Sequence, residues 1–314
     1  MSHRCVAVCV TVFAVVLLAP AESAAQDRSA TWTPARTPWG HPDLQGFWDQ
    51  TTGTPLERSR EFADREFLTD DEAAERERQR FAAFDAAPRQ GSPGNYGSQW
   101  RDGSRNALTR TSLIVDPADG RIPPLMSAAQ QRAQTRRAYR RDHPADSWED
   151  RNLWERCITR GTPRVPNNYN SNILILQTPD AVVLFNEMIN ETRVVSLDGR
   201  PHVERDIRLW NGDSRGRWEG QTLVVETTNL SGKQVFRGFP VDNLRLVERF
   251  TRTGPDQIDY QMTLSDPTTY TRAWTVVLPM TKTGGPIFEY ACHEGNYGME
   301  GILAGHRAEE QGRR

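Results

Sequence analysis

The sequence lacks a long apolar run beyond its N-terminus, so we expect no membrane anchor in the mature chain. The N-terminus itself has a positive charge at Arg4, an apolar run over residues 6–18, and small residues at Ser23 and Ala25. These are the three parts of a secretory signal peptide. Residues 1–25 are therefore predicted to be a signal peptide, and the mature protein is predicted to be periplasmic or extracellular.

Cysteines are also scarce. Cys5 and Cys9 lie in the predicted signal peptide, which leaves Cys157 and Cys292 in the mature chain. Two cysteines in an oxidising compartment favour a disulfide, although two separate buried thiols fit the same sequence. A disulfide would close a loop of about 135 residues, for which the chain-entropy model gives roughly 4 to 5 kcal/mol of stability.

An excess of charge of either sign is missing, because 39 basic residues and 41 acidic residues give a net charge of -2. This balance disfavours a general attraction to nucleic acid. The basic run at 132–141 is best explained as the solvated face of a helix, since it lacks interleaved exposed aromatic side chains. We expect a small-molecule ligand and no nucleic-acid partner, and the sequence is compatible with a homo-oligomer.

The mature chain divides into regions of different composition. Residues 26–56 are rich in proline, tryptophan and glycine and are predicted to be an extended N-terminal segment. Residues 57–314 are predicted to form a single domain. Its parts are a helical and loop region at 57–171, a β-meander barrel at 172–295 and a C-terminal tail at 296–314.

Serine and threonine caps predict helices in the N-terminal half. The two capping boxes are Thr69 with Glu72 and Ser127 with Gln130. The first helix should extend to about Phe84, and the second should end before Pro144. Ser147 is expected to cap a third, short helix.

From residue 172 onward the chain consists of short β-rich runs separated by turn sequences. The predicted strands lie near 173–178, 181–188, 192–197, 216–229 with a break at Gly220, 244–253, 257–266, 271–281 and 286–292. An earlier hairpin is predicted over 111–122, with Asp119 and Gly120 at its turn. The chain is therefore predicted to be mostly β, an antiparallel up-and-down barrel of about eight strands with two or three helices in the N-terminal half.

Two glutamates alternate with apolar residues in the predicted strands. The neighbours on the same face are Leu246 and Phe250 for Glu248, and Val183 and Phe185 for Glu187. If these faces line the barrel, the low dielectric raises the carboxyl pKa and suits general acid or base catalysis. Alternatively, an irregular strand turns each glutamate outward, or an arginine such as Arg193 neutralises it.

Histidines at two strand ends are the other candidate catalytic groups. His293 follows the last predicted strand, and His202 follows a turn at 198–201. The two could meet if both loops lie at the same end of the barrel, and either is a candidate partner for a glutamate in acid–base catalysis. The sequence has no HExxH motif and no paired-cysteine spacing, so no metal site and no cofactor are predicted.

The loop at 156–170 has the composition of a polar lid over the barrel, with arginines to bind anions and asparagines to donate and accept hydrogen bonds. A structured connector between the helices and the barrel is the alternative. The candidate ligand-binding residues are Arg160, Asn168, Asn170, Arg193, Tyr260 and Tyr290, and Arg164 is a further anion donor in the loop.

Two resemblances extend this prediction. The phrase Gly46-Phe47-Trp48 resembles the Gly-x-Trp phrase that opens the first strand of lipocalins and related calycins, where the tryptophan closes the barrel base. The chain is also similar to a group of secreted bacterial proteins at residues 42–48, 54–58, 213–220, 222–226 and 266–274, which include the phrase Gly216-Arg217-Trp218-Glu219-Gly220. These resemblances imply export and a lipocalin-like barrel, and they supply no catalytic residue.

The leading hypothesis is a secreted barrel that binds a small, partly apolar molecule. The alternative is a cofactor-independent hydrolase, lyase or isomerase on the same barrel. In it Glu248 or Glu187 would exchange protons with His293 or His202, while Arg160 or Arg193 holds an anion. A structural or surface protein whose barrel is filled by its own side chains is the second alternative.

Overall fold

The computed structural model describes residues 32–86, 97–98, 109–165 and 170–312, and the predicted signal peptide lies outside them. The described strands and helices belong to one unit, Thr33–Arg314. The strands are β1 Gly46–Asp49, β2 Ile114–Asp116, β3 Asn172–Gln177, β4 Ala181–Asn186, β5 Glu191–Ser196, β6 Asp213–Glu219, β7 Thr222–Thr228, β8 Val235–Phe236, β9 Phe239–Pro240, β10 Arg245–Gly254, β11 Gln257–Ser265 and β12 Trp274–Lys282. The helices are α1 Asp70–Asp85, α2 Ser127–Asp142 and α3 Tyr297–Gly312.

Nine of the strands form a closed barrel in the order β1-β3-β4-β5-β6-β7-β10-β11-β12. The ring closes where β12 pairs with β1, with Trp48 opposite Lys282 and Asp49 opposite Thr281. The short strand β2 pairs with the other end of β12, through Asp116 and Ile114. Closure leaves few unpaired strand edges in the main sheet.

The barrel is mixed and not purely antiparallel, which corrects the up-and-down prediction. Its neighbours pair antiparallel except for β5 and β6, which are parallel and meet at Ser196 and Arg215. Parallel pairing needs a long connection between strands. Residues 197–212 supply that connection, so the chain crosses over before β6 begins.

The predicted count of eight strands was too low, and one predicted strand was wrong. The predicted strand at 216–229 is two strands, because Gly220 has a φ of +60° and turns the chain between β6 and β7. No strand forms at 286–292. Since β12 already pairs with β11 on one side and with β1 and β2 on the other, it offers this segment no free edge.

Strand β1 comes from the segment that was predicted to be merely extended. Its Trp48 is fully buried, and its indole Nε1 donates to the Leu44 carbonyl at 2.9 Å. The Arg252 guanidinium lies 5.5 Å from the centre of the same ring. The predicted hairpin at 111–122 also forms only in part, because β2 pairs with β12 instead of with a returning arm.

The helices agree with their predicted positions better than with their predicted caps. Helix α1 has the capping box of Thr69 and Glu72. Helix α2 begins at Ser127, but its N-cap residue is Met126 and no side chain caps it. Ser147 caps a single 3-10 turn, Trp148–Asp150. No helix in the described ranges is long and apolar enough to cross a membrane.

The predicted C-terminal tail at 296–314 contains a helix, α3. Helix α3 is attached through two consecutive residues near its middle. His306 Nε2 lies 3.1 Å from Asp146 Oδ1, and the Arg307 guanidinium donates to the Ala145 carbonyl at 3.0 Å. These contacts fix the helix to the chain that follows α2.

The predicted disulfide between Cys157 and Cys292 is present, with the two Cα atoms 5.6 Å apart. It joins the segment before β3 to the segment after β12. Such a bond fits a protein of an oxidising compartment, as the predicted periplasmic or extracellular location requires.

Alternating residues of the long strands fill the barrel. The alternation in β11 is as predicted, with Ile258, Tyr260, Met262 and Leu264 buried. Apolar side chains from β3, β4, β7, β10 and β12 meet them in one core. A few polar side chains interrupt this core, and they define the candidate site.

Candidate functional site

Three charged or polar side chains face the barrel interior from different strands. Arg193 lies on β5 with the buried Val195, Glu248 lies on β10 between Leu246 and Phe250, and Tyr260 lies on β11. Each alternates with outward residues, so strand periodicity alone turns it inward. Glu248 is thus on the inner face, as its sequence pattern predicts.

Arg193 and Glu248 form a bidentate ion pair in the interior. The Nη1–Oε2 and Nη2–Oε1 distances are 2.5 and 2.8 Å, and the side chains are 11% and 2% exposed. Burial lowers the pKa of Arg193, but the Glu248 carboxylate outweighs burial and leaves the pKa raised. Arg193 is therefore held as a cation against Glu248, and both carboxylate oxygens of Glu248 accept hydrogen bonds from it.

Tyr260 completes the partners of Glu248. Its hydroxyl donates to Oε1 at 2.5 Å, and its ring stacks on Phe250 with centroids 4.5 Å apart. Burial, and then the Glu248 charge, raise the pKa of Tyr260 well above its usual value. The phenol stays protonated, so it acts as a hydrogen-bond donor inside the barrel.

Arg164 lines the same cavity and forms no ion pair with a carboxylate among the described residues. Its Nη2 donates to the Asn170 carbonyl at 3.1 Å, but its Nε and Nη1 are buried and have no hydrogen-bond acceptor among the described residues. Burial, and then the charge of Arg160, lower the pKa of Arg164 to about 10. The guanidinium therefore remains cationic at neutral pH, with two donor groups unsatisfied.

The cavity at these residues is small and mostly polar. About 30 Å³ is open to the centre of a water molecule, which is room for about two waters or one small group. The lining residues are Gln50, Gly161, Thr162, Arg164, Ile173, Leu184, Asn186, Glu191, Arg193, Asn211, Glu248, Phe250 and Tyr260. This cavity is thus too small for a large apolar ligand.

A hydrogen-bond network holds one wall of the cavity in place. Glu191 Oε1 accepts from Asn211 Nδ2 at 2.9 Å and from the Thr159 hydroxyl. Gly161 N in turn donates to the Thr159 hydroxyl at 2.8 Å. Gln234 Nε2 donates to the Thr162 carbonyl at 2.5 Å. We call residues 159–164 the wall segment.

The wall segment only partly resembles the lid that the sequence predicts. Arg164 lines the cavity, whereas the Arg160 guanidinium lies 5.2 Å from the Trp154 ring and does not line it. Asn170 uses its backbone carbonyl to hold Arg164, and its side chain is not part of the lining. Asn168 lies outside the described residues.

Two other candidates lie away from the cavity. Glu187 is buried, but it follows β4, and the inward residues of that strand are Val182 and Leu184. Its predicted face with Val183 and Phe185 was therefore wrong, and its Oε2 instead accepts from Asn172 Nδ2 at 2.7 Å. Tyr290 does not line the cavity, and its backbone pairs with the Asn190 side chain.

The histidines do not reach the buried glutamates. His293 is exposed, since the segment before it is not a barrel strand. His202 lies in the connection before β6, with its Nδ1 2.7 Å from Asp213 Oδ2. Within the described ranges no histidine is hydrogen-bonded to Glu248 or Glu187. The predicted histidine–glutamate pair is therefore absent from this geometry.

A separate group of possible metal ligands consists of Asp146, His306 and Glu310, whose ligand atoms lie within 4.8 Å of one another. Asp146 also bonds His143, at 2.6 Å. These contacts attach α3 to the end of α2. They account for the cluster as a structural network of ion pairs.

Neither a protein-family model, nor a curated protein, nor a solved structure matches this chain. The resemblance to lipocalins and to secreted bacterial proteins therefore rests on the sequence phrases alone. The chemistry of the cavity is the remaining guide to function. Thr162, Glu191 and Asn211 belong to it although no sequence pattern indicated them, because they come from three separate segments.

Proposed function

We propose that this protein is a secreted binding protein that holds a small oxyanion, such as a carboxylate group, in the barrel beside Arg164. The observation that carries this proposal is the Arg164 guanidinium, whose buried Nε and Nη1 have no acceptor among the described residues. An unsatisfied buried donor costs about 1 to 3 kcal/mol, and more when it is charged. An oxyanion could accept from Nε or from Nη1 in the charge-assisted hydrogen bond that guanidinium favours.

The hydrogen bonds around the cavity favour an anionic ligand at Arg164. Both oxygens of Glu248 accept from Arg193, and one also accepts from Tyr260. Glu191 raises the pKa of Arg164 by its charge, but its Oε1 accepts from Asn211 and Thr159. A bound anion would supply acceptors at Arg164 and stabilise its charged form.

The proposed ligand differs from the partly apolar molecule expected from the sequence. The lining is polar, and the volume suits only a few heavy atoms. A filled barrel with no ligand is the competing hypothesis, and it predicts no saturable binding. The two hypotheses are separated by a titration.

The test is isothermal titration of the mature protein with acetate and with inorganic phosphate, together with the variants Arg164→Gln and Arg141→Gln. Arg141 is the matched control, because it carries the same charge on an exposed side chain of α2 and does not line the cavity. We expect saturable binding to the wild type and to Arg141→Gln, and at least roughly tenfold weaker binding to Arg164→Gln.

The stability of the unliganded protein provides a second readout. Removing an unpaired buried charge should leave Arg164→Gln as stable as the wild type or more stable, by about 1 kcal/mol or more. Ligand should then raise the melting temperature of the wild type and of the control variant, but not that of Arg164→Gln. Equal binding by the wild type and Arg164→Gln, or no binding of either anion, would reject the proposal.

A further inference from the structure

A second and larger cavity lies on the other side of the wall segment. It is open to the surface and has about 590 Å³ available to the centre of a water molecule, within the usual range for small-molecule sites. Gly161 lines both this cleft and the cavity in the barrel. We call it the basic cleft, because seven cationic and only two acidic side chains line it.

The cations come from three separate parts of the chain. Arg136 and Arg140 lie on α2, Arg156 and Arg160 lie on the segment before β3, and Lys233 lies beside the β8–β9 hairpin. The acidic members are Glu149 and Asp150. The cleft thus concentrates positive charge in a protein whose net charge is -2.

Four of these cations lack acidic partners. In the part of the chain that the structure describes, no carboxylate pairs with Arg136, Arg156, Arg160 or Lys233. Arg156 and Arg160 instead lie over the rings of Trp148 and Trp154, at 4.3 and 5.2 Å from the ring centres. A cation–π contact of this kind leaves the guanidinium N–H groups able to donate to a ligand.

Two other cations of the cleft, Arg151 and Arg237, are paired with carboxylates, and the remaining polar groups make local contacts. Asp150 caps the 3-10 turn, where its Oδ2 accepts from Ser147 N at 2.8 Å. Arg140 donates to the neutral Asn152 side chain at 2.7 Å. Burial, and then the charge of Arg140, lower the pKa of Arg136, and both side chains line the cleft. The basic run on α2 is therefore more than a solvated helix face.

We propose that the basic cleft is a second binding site, for a small organic molecule that carries at least two negatively charged phosphate or carboxylate groups. Several cations that converge from three segments can engage separate acid groups of one ligand, whereas a single anion would leave most of them unpaired. This site is distinct from the proposed oxyanion site at Arg164, and either can exist without the other.

The test is isothermal titration with tripolyphosphate and with citrate at a constant ionic strength of about 0.15 M, where diffuse attraction is largely screened. Binding of one polyanion per chain supports the site, and a comparison of the two probes distinguishes phosphate from carboxylate recognition. We expect the double variant Arg136→Gln/Arg160→Gln to bind at least roughly tenfold more weakly.

The matched control is Arg141→Gln, because Arg141 lies on the same helix but does not line the cleft. It should change affinity less than roughly twofold. Lys233→Gln is a single change beside the hairpin and should weaken binding roughly threefold. It tests the site independently if the double variant does not fold.

Three outcomes would overturn the proposal. The first is that neither polyanion binds. The second is that Arg141→Gln weakens binding as much as the double variant, which would indicate diffuse attraction. The third is that Arg164→Gln abolishes polyanion binding, which would place the ligand in the barrel. A protein that binds a polyanion but not acetate would reject the oxyanion site at Arg164 and would still support the basic cleft.

Discussion

At the scale of single residues, the barrel holds two arginines in opposite electrostatic states. Arg193 is saturated by Glu248, while Arg164 has buried donors that no described group accepts from. The first arginine is part of the folded core, since its removal would leave a buried carboxylate alone. The second is available to a ligand, which is why the function is proposed there.

The ion pair leads to a prediction for Glu248→Gln. The variant leaves Arg193 buried without its counter-charge, so we expect a loss of roughly 3 to 5 kcal/mol in the free energy of unfolding. Urea unfolding measures it. Replacing both partners together, as Arg193→Met/Glu248→Met, should recover most of the loss.

Glu226→Gln is the matched control for this prediction. Glu226 also pairs with an arginine, Arg245 at 2.5 Å, but the arginine side chain is 54% exposed. An exposed pair contributes about 0 to 1 kcal/mol, so its removal should be nearly silent. Equal losses in the two variants would show that burial of the Glu248 pair does not matter.

Sequence alternation anticipated some of these residues and not others. Glu248 lies inward because its neighbours in β10 alternate regularly, and Arg193 was a foreseeable partner. Arg164 was one of several loop arginines with no feature to single it out. Whether its donors find acceptors depends on where the loop lies against the barrel, which the local sequence does not encode.

At the scale of elements, the wall segment separates the barrel cavity from the basic cleft. Gly161 occupies it with a φ of +88°, and a Cβ there would lie 3.0 Å from Gln234 Nε2. The same Gln234 side chain holds the Thr162 carbonyl. The wall therefore depends on a residue without a side chain.

We expect Gly161→Ala to destabilise the protein and to weaken anion binding. Left-handed backbone costs a non-glycine residue roughly 1 to 2 kcal/mol, and the crowded Gln234 contact adds to this. Gly199→Ala is the control, because Gly199 has a φ of +73° but open space around its Cβ position. Urea unfolding and acetate titration compare them. If Gly199→Ala weakens acetate binding as much, the wall contact is not involved.

Element prediction succeeded where the signal was local. Strands β10 and β11 were foreseen to within two residues because they alternate over their length. Strand β1 and helix α3 were missed for different reasons. Strand β1 has only four residues and is defined by its pairing with β3 and β12. Helix α3 contains four glycines, which lower helix propensity, and it is fixed by contacts with Ala145 and Asp146.

At the scale of the whole molecule, the disulfide joins the chain just before the wall segment to the segment after the barrel. Its loop spans a sequence separation of 135 residues. We expect Cys157→Ser/Cys292→Ser to lower the free energy of unfolding by roughly 4 to 5 kcal/mol, because the unfolded chain gains freedom. Urea unfolding of the double variant measures this. A loss below about 1 kcal/mol would contradict the chain-entropy account.

Acid should also weaken the fold. The Arg65 hydrogen bonds lower the pKa of Glu72 from 4.5 to about 2, and those of Arg200 lower the pKa of Asp198 from 3.8 to about 2. A depressed carboxyl pKa contributes stability above the unfolded value, and that contribution disappears as the pH falls through the folded value. These two groups should therefore leave the urea midpoint unchanged between neutrality and about pH 5. Between about pH 4.5 and 2 we expect the midpoint to fall.

The variant Asp198→Asn tests the attribution to carboxyl groups. It removes one of the titrating groups, so its urea midpoint should fall less steeply over the same pH interval than that of the wild type. A parallel fall in both proteins would mean that Asp198 contributes nothing to the acid response.

The sequence by itself determined the β-rich composition, the alternation that turns Glu248 and Tyr260 inward, and the two cysteines free to pair, because each is encoded by near neighbours or by composition. The tertiary structure decided how many strands close the ring, which buried arginine has donors without an acceptor among the described residues, and that cations from three segments share one cleft. Those features depend on contacts between residues far apart in the chain. The energies of these contacts depend on how deeply the side chains are buried and on which partners they meet. The sequence of a single segment specifies neither the burial nor the partners.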